Sequence, residues 1–202
     1  MQTLHECDLS IIIPVYNLER FIEPMLRSLA EQKHGYKVET IFVLNNCTDR
    51  SEELIKGHGN IIHCKTQGCG AARNAGLEIA KGKYVWFMDG DDWLLKDTAI
   101  QEAMDLVQGK QMIRIPFISN RFPGSYFSMV WQYVMARDLI GDLRFPNIQP
   151  GEDDAFMEVI LDRVKLNARV YKQLPHTDPL YFYNYLREGS NMYRALITKD
   201  LN

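Results

Sequence analysis

From Leu9 to Phe117, short apolar runs alternate with amphipathic segments, and that rhythm leaves few folds open. Leu9-Ser-Ile-Ile-Ile-Pro-Val15 is rich in β-branched residues and does not alternate with polar ones. Such a run predicts a strand covered on both faces, as in a parallel sheet. Proline cannot donate to a ladder, so the strand is expected to end at Pro14. Tyr16-Asn17-Leu18 then turns the chain, and Pro24 suits the first turn of a helix whose apolar face carries Met25, Leu26 and Leu29. The pattern repeats: a strand over 38–44, a helix over 52–56 capped by Thr48-Asp49-Arg50-Ser51, and a strand over 61–65. A helix over 71–81 follows, with Gly82 as its stop, then a strand over 84–88, a helix over 97–108 and a strand over 112–117. Strands alternating with helices predict an α/β fold with a mostly parallel central sheet flanked by helices.

After about residue 120 the rhythm changes. Aromatics cluster at Phe122, Tyr126, Phe127, Trp131 and Tyr133, residues 152–164 read as a helix with Phe156, Val159 and Ile160 on one side, and 169–172 and 180–186 read as strands. No linker, repeat or low-complexity stretch intervenes, so residues 1–202 read as one domain. The apolar fraction of 46% and charged fraction of 24% are those of an ordinary globular protein, and a net charge of −3 gives no footing for nucleic acid. Cys7, Cys47, Cys64 and Cys69 match no zinc-site spacing and are read as reduced thiols. No run approaches the roughly 20 apolar residues of a membrane span, and the first residues do not resemble a signal peptide, so a cytoplasmic location is expected. The stretch from Tyr126 to Val134 suits either a core helix or a peripheral contact with a membrane.

Three segments carry chemistry. Tyr84-Val-Trp-Phe-Met-Asp89-Gly90-Asp91-Asp92 ends an apolar run in three carboxylates. Ligands of open α/β sheets bind at the carboxyl ends of strands, and clustered oxygens suit Mg²⁺ or Mn²⁺ bridging substrate phosphates. The same residues also suit a plain solvated turn, and spacing alone does not choose. Gln67-Gly-Cys-Gly-Ala-Ala-Arg73-Asn-Ala-Gly76 opens a helix with small residues, where Arg73 could meet a phosphate or the acidic cluster, while Ala71, Ala75 and Gly76 read as packing. Gly151-Glu152-Asp153-Asp154 starts another helix; acids there are expected from the helix dipole alone, and a general base is the functional alternative.

Taken in order, these segments resemble the inverting glycosyltransferases of family 2, which have the GT-A fold. Ser10 to Asn17 is similar to the family's opening strand and turn. Gly70-Ala-Ala-Arg-Asn-Ala-Gly76, Ala80-Lys-Gly-Lys-Tyr84 and Asp89-Gly-Asp-Asp92 resemble its central motifs. Leu143-Arg-Phe-Pro146 leading to Gly151-Glu-Asp-Asp-Ala-Phe156 resembles the segment with the base, and Pro179 to Ser190 the last strand and loop. The resemblance implies a Rossmann-like nucleotide-sugar part over about residues 1–118 and a smaller acceptor-side part over about 119–202. It implies that Asp91 holds Mn²⁺ or Mg²⁺ with help from Asp92, that Asp89 contacts the nucleotide ribose or the metal through a bound water, and that Asp153 is the base, with Glu152 and Asp154 as substitutes. Pro14, Tyr16 and Asn17 would line the nucleotide-base pocket, Arg73 would lie near the diphosphate, and Arg187 and Ser190 would close over the phosphates. The donor would be a nucleotide-diphosphate sugar, UDP-linked by preference, and the acceptor a saccharide or a lipid-linked saccharide of the kind used in surface polysaccharide assembly.

One departure stands out. Where the family's second strand ends in an acidic pair, this chain has Leu44-Asn45; Asn45 keeps a donor and an acceptor that could meet a base edge, and Leu44 has neither. That replacement supports a competing reading, a nucleotide-sugar-binding module without turnover. The processive members' Gln-x-x-Arg-Trp segment is absent, which favours single-sugar transfer. A sugar-phosphate nucleotidyltransferase would show a Gly-rich basic loop after the first strand, where this chain has Val15-Tyr-Asn-Leu-Glu19.

Overall fold

A computed structural model describes residues 5–120, 129–148, 150–164, 171–173 (backbone only) and 178–184. The central sheet has seven strands in the order β3-β2-β1-β4-β8-β6-β9. They are β1 (Cys7–Val15), β2 (Val38–Leu44), β3 (Asn60–His63), β4 (Gly82–Phe87), β6 (Met112–Arg114), β8 (Tyr133–Ala136) and β9 (Tyr171–Gln173). All neighbours run parallel except β8, which is antiparallel to both β4 and β6. A small second sheet places β10 (Tyr181–Tyr183) between β5 (Trp93–Leu94) and β7 (Phe117–Ser119). The helices are α1 (Glu23–Ala30), α2 (Ser51–Ile55), α3 (Cys69–Ile79), α4 (Ala99–Val107), α5 (Arg137–Ile140) and α6 (Glu152–Val164).

Alternate residues of the buried strands feed two cores. Leu9, Ile11, Ile13 and Val15 of β1 face α1 and α4, while Ile12 faces α3 and α6 with Val85, Phe87 and Phe156. This two-sided burial is why β1 and β4 read as unbroken apolar runs. Helix α3 lies so close to β1 that a Cβ on Gly76 would stand 2.4 Å from Ile12 Cγ2. Pro24 sits in the first turn of α1 as expected.

Several local expectations are corrected. Pro14 does not end β1, which continues to Val15 in register with Leu44 of β2. Ile12 O accepts from Met88 N on the β4 side and Val15 O from Asn45 N on the β2 side, so Pro14 turns its donor-less nitrogen toward β4, beyond the last β1–β4 pair at Ile12 and Phe87. Gly82 is not a helix stop but opens β4, where a Cβ would lie 2.4 Å from Ser10 N. The described part of the stretch ending at Val134 is no α-helix: Val130–Gln132 makes one 3-10 turn into β8, and Trp131, Tyr133 and Val134 are buried, which removes them from any membrane contact. Tyr126 and Phe127 lie outside the described residues. On α6 the buried face is Phe156, Met157, Ile160 and Val164, and Val159 points outward. The apolar spacing that suggested Val159 fits both faces of a short helix, and the neighbouring Met157 takes the inward place. Among the described residues no helix is long and apolar enough to cross a membrane.

Candidate active site

The strand order reverses direction at β1, between β2 and β4, and the segments leaving the carboxyl ends of β1 and β4 are Tyr16-Asn17 and Asp89 to Asp92. This is the crevice where open α/β sheets take their ligands. Gly90 is held there by space: a Cβ would meet Leu18 Cδ1 at 2.6 Å and Pro14 O at 3.3 Å. The turn therefore lies directly on the end of β1.

Arg73, from the second turn of α3, joins the acidic segments. Its Nη2 donates to Asp89 Oδ1 at 2.9 Å, its Nη1 donates to Asp153 Oδ1, and Glu152 Oε1 lies 3.7 Å from Nη1. The arginine side chain is only 3% exposed. Burial works against its charge, but Asp153 and Asp89 more than offset that and hold its pKa above the ordinary arginine value. The arginine carbon lies 5.5 Å from the Phe145 ring, which is stacked on Phe156 with centroids 4.0 Å apart. Asn74 fixes that ring by giving Nδ2 to Phe145 O and taking Phe145 N on Oδ1. Sequence inspection missed Asn74, although its place beside Arg73 was a usable signal.

Of the three acids opening α6, Asp153 is the one that meets the cluster through a hydrogen bond, and Asp154 is exposed. Burial pushes the Asp153 carboxyl up to about 6; Arg73 pulls it down, and Asp89 and Glu152 push it further up. A carboxylate titrating there is matched to taking a proton near neutral pH.

Asp92 belongs to a different arrangement. It is 0% exposed, with Oδ2 taking the Tyr181 hydroxyl at 2.6 Å and Oδ1 taking Asn184 N at 2.8 Å. Both oxygens are engaged inside the protein, so the expectation that Asp92 ligates a metal is corrected: it ties β10 to the turn. Tyr181, unmarked by the sequence, also accepts from Asp89 N at 3.2 Å and stacks on Trp131 with centroids 4.9 Å apart. We expect Tyr181→Phe to lower stability by about 1–3 kcal/mol, because a buried carboxylate loses a hydrogen-bond donor. Chemical denaturation of the two proteins measures this, and equal midpoints would refute it.

The residues expected at the nucleotide base divide. Tyr16 is 46% exposed at the crevice, and Asn17, at φ 50°, takes Thr48 N on Oδ1 at 2.8 Å, tying the first turn to the second. Pro14 is buried beneath Gly90 and offers the crevice a wall rather than a contact. Asn45 contradicts the expectation that it reads a base edge. It is 5% exposed, its Nδ2 donates to Cys64 O and Thr66 O at 3.2 and 2.6 Å, and its Oδ1 takes Gly68 N at 2.9 Å. Its amide is consumed in lashing β2 to the loop before α3. Arg187 and Ser190 lie outside the described residues.

Among the described residues no group of three His, Cys, Asp or Glu side chains is arranged to hold a metal alone. Asp89 and Asp91 stand on either side of Gly90, and Asp89 takes Arg73 Nη2 on Oδ1. Mg²⁺ and Mn²⁺ commonly take one or two carboxylates and complete their shell with substrate phosphates and water, so this pair fits an ion that arrives with a diphosphate.

An open sheet reversing beside an acidic turn, faced by the acidic start of α6, defines a GT-A domain. The model of glycosyl transferase family 2 matches residues 10–148, and the chain belongs to that family. It is 27% identical over 215 residues to the uncharacterized glycosyltransferase EpsJ of Bacillus subtilis, covering 83% of this chain and 62% of EpsJ. It is 25% identical to the poly(ribitol-phosphate) beta-N-acetylglucosaminyltransferase TarS of Staphylococcus aureus, covering 95% of this chain and 38% of TarS. A crystal structure of TarS 1–349 with UDP-GlcNAc superposes with a TM-score of 0.77 at 23% identity, covering 92% of this chain and 60% of that one. The mannosyltransferase of Pyrobaculum calidifontis, solved with GDP-Man and Mn²⁺, gives 0.70 at 17% identity over 98% of this chain and 63% of that one. The chain thus spans less than two thirds of the length of these relatives.

Proposed function

We propose that this protein is an inverting glycosyltransferase that moves one sugar from a nucleotide-diphosphate donor to a hydroxyl of a saccharide or lipid-linked acceptor. The observation that carries the reading is the meeting of Asp153 with Asp89 on one buried arginine, at the crevice of the sheet. This meeting supports reading Asp153 as a base beside the donor turn. The described residues are taken as one domain, because β8 from the later part of the chain sits between β4 and β6 of the earlier part. The name of TarS, and its complex with UDP-GlcNAc, support a UDP-sugar as the first donor to test and surface polysaccharide as the setting.

In this reaction Asp153 takes the proton of the acceptor hydroxyl as its oxygen attacks the anomeric carbon. The bond from that carbon to the diphosphate breaks on the opposite face, the nucleoside diphosphate leaves, and the configuration inverts. Asp91 and Asp89 would hold Mg²⁺ or Mn²⁺, which when bound neutralises the charge gathering on the leaving diphosphate. Tyr16 and the Asn17–Thr48 tie shape the entrance for the nucleotide.

Thermal unfolding with Mn²⁺ and a panel of UDP, GDP, dTDP and CDP tests the donor site. A nucleotide at a hundred times its dissociation constant should stabilise the fold by about 2.7 kcal/mol, or several degrees in a chain of this size. We expect the shift to need metal and to vanish in Asp91→Ala. A folded protein that responds to none of the nucleotides would defeat the proposal, and one that binds but never releases sugar from any donor would be a binding module instead.

A further inference from the structure

We propose that Arg73 is the positioning residue for the base, holding Asp153 with one guanidinium nitrogen and Asp89 with the other so that a single side chain aims the base at the donor turn. The proposal rests on the reading of Asp153 as the base. It departs from the expectation that Arg73 serves the diphosphate directly, since both of its terminal nitrogens are directed at carboxylates.

A residue that aims others must itself be fixed. Arg73 is enclosed, its carbon lies 5.5 Å from the Phe145 ring, and Asn74, the next residue in α3, holds Phe145 by two hydrogen bonds. Gly70, one turn earlier, lets the start of α6 approach: a Cβ there would lie 3.0 Å from Phe145 Cβ and 3.3 Å from Glu152 Cγ. The helix carrying Asp153 is thereby pressed against the helix carrying Arg73. The planar fork of a guanidinium can bond two carboxylates in different directions at once, which a lysine ammonium on its flexible stem does less well.

The charges around Asp153 make the same assignment. It faces Arg73 and Cys69 from α3, Asp89 from the turn after β4, Glu152 from its own helix and the Val130 backbone N–H from the 3-10 turn. Burial pushes the Cys69 thiol up to about 12, so it is neutral at working pH. Arg73 is the one cation in that set, opposed by two other carboxylates. The hydrogen bond that ties Asp153 to this cation is also the one that fixes the carboxylate's direction.

The test is the pH profile of kcat/KM in Arg73→Gln and Arg73→Lys, with donor affinity and Tm measured alongside. Loss of the adjacent cation should carry the acid limb upward by about one to three pH units in Arg73→Gln, and Arg73→Lys should recover part of that shift. A uniform loss of rate with the limb unmoved would mean that Arg73 only supports the fold. Lost donor affinity with the limb unmoved would mean that it binds the diphosphate. Either result overturns the proposal. If neither variant folds, the wild type serves: the Arg73 Nε–H, which has no partner among the described residues, should shift in NMR spectra with the midpoint of Asp153 and lose that transition in Asp153→Asn. A signal flat with pH overturns the proposal. Asp153→Asn also separates the two claims. Should it retain full activity, the base assignment itself fails; should it be inactive while the limb stays put in the arginine variants, only the positioning role fails.

Discussion

Asp153→Asn is expected to lower sugar transfer by about 10²–10⁴-fold while leaving metal-dependent nucleotide binding within a few-fold of the wild type. The substitution keeps the shape of the side chain; it removes the capacity to take up a proton and, with it, the negative charge that Asp153 sets against Arg73. Transfer assayed with a responding nucleotide sugar, together with nucleotide titration of both proteins, checks the two halves separately. Loss of binding along with transfer would show that the residue organises the donor site rather than the chemistry. The wild-type profile of kcat/KM should rise through an acid limb with its midpoint near pH 6, the value to which burial above all raises this carboxyl. The sign follows from the role: below the midpoint Asp153 is protonated and cannot act as base. The same shift has a thermodynamic face. Between the ordinary aspartate value of about 3.9 and about 6, the folded chain keeps a proton that the unfolded chain has lost. This group's contribution to stability is therefore full below that window and is lost as pH rises through it.

Trp131→Ala should cost about 3–5 kcal/mol, the range for deleting a large buried aromatic side chain. Trp131 is 1% exposed, stacked on Tyr181 and Tyr183 and met edge-on by Phe117. Its backbone carbonyl also takes Trp86 Nε1, a bond the substitution leaves in place, so the loss is one of packing. In a chain of this length such a loss lowers Tm by roughly 10 °C. Because Tyr181 rests on the deleted ring and touches both Asp92 and Asp89 N, nucleotide affinity should weaken as well. Calorimetry and a nucleotide titration below the new Tm measure the pair of effects. A fall of under 1 kcal/mol would mean that the two sheets do not depend on this junction.

β1 and β4 were legible because they are buried on both faces and so announce themselves without alternation, whereas β8 lies in a stretch read as a core helix or a membrane contact. β2 and α6 occupy the expected residues throughout, and α3 begins two residues before its expected start at Ala71. The small sheet was not legible. β5 has two residues and β7 and β10 three each, and pairing between residues 94 and 181 leaves no trace in local composition. At the site, residue type singled out the acids but could not distribute them among partners. Asp89, Asp91 and Asp92 look alike in a row, and it is the hydroxyl of Tyr181, 89 residues after Asp92, together with Asn184 N, that engages the last of them. Asn45 misled for a similar reason. An amide at a strand end suits a ligand and a neighbouring carbonyl equally, and the choice was made by Cys64, Thr66 and Gly68.

The proline within β1 bears on how the site waits for its donor. Two strands that separate normally leave facing rows of donors and acceptors, and a cleft lined that way tends to zip shut unless water or a ligand satisfies it. Here the strand on one side of the gap has no donor at residue 14, and the chain leaving the other strand is already braced through Gly90, Asp92 and Tyr181. The ends of β1 and β4 thus have little backbone bonding to gain by pairing beyond Ile12 and Phe87. Any ligand taken up at these strand ends would have no ladder hydrogen bond to break beyond the one from Met88 N to Ile12 O.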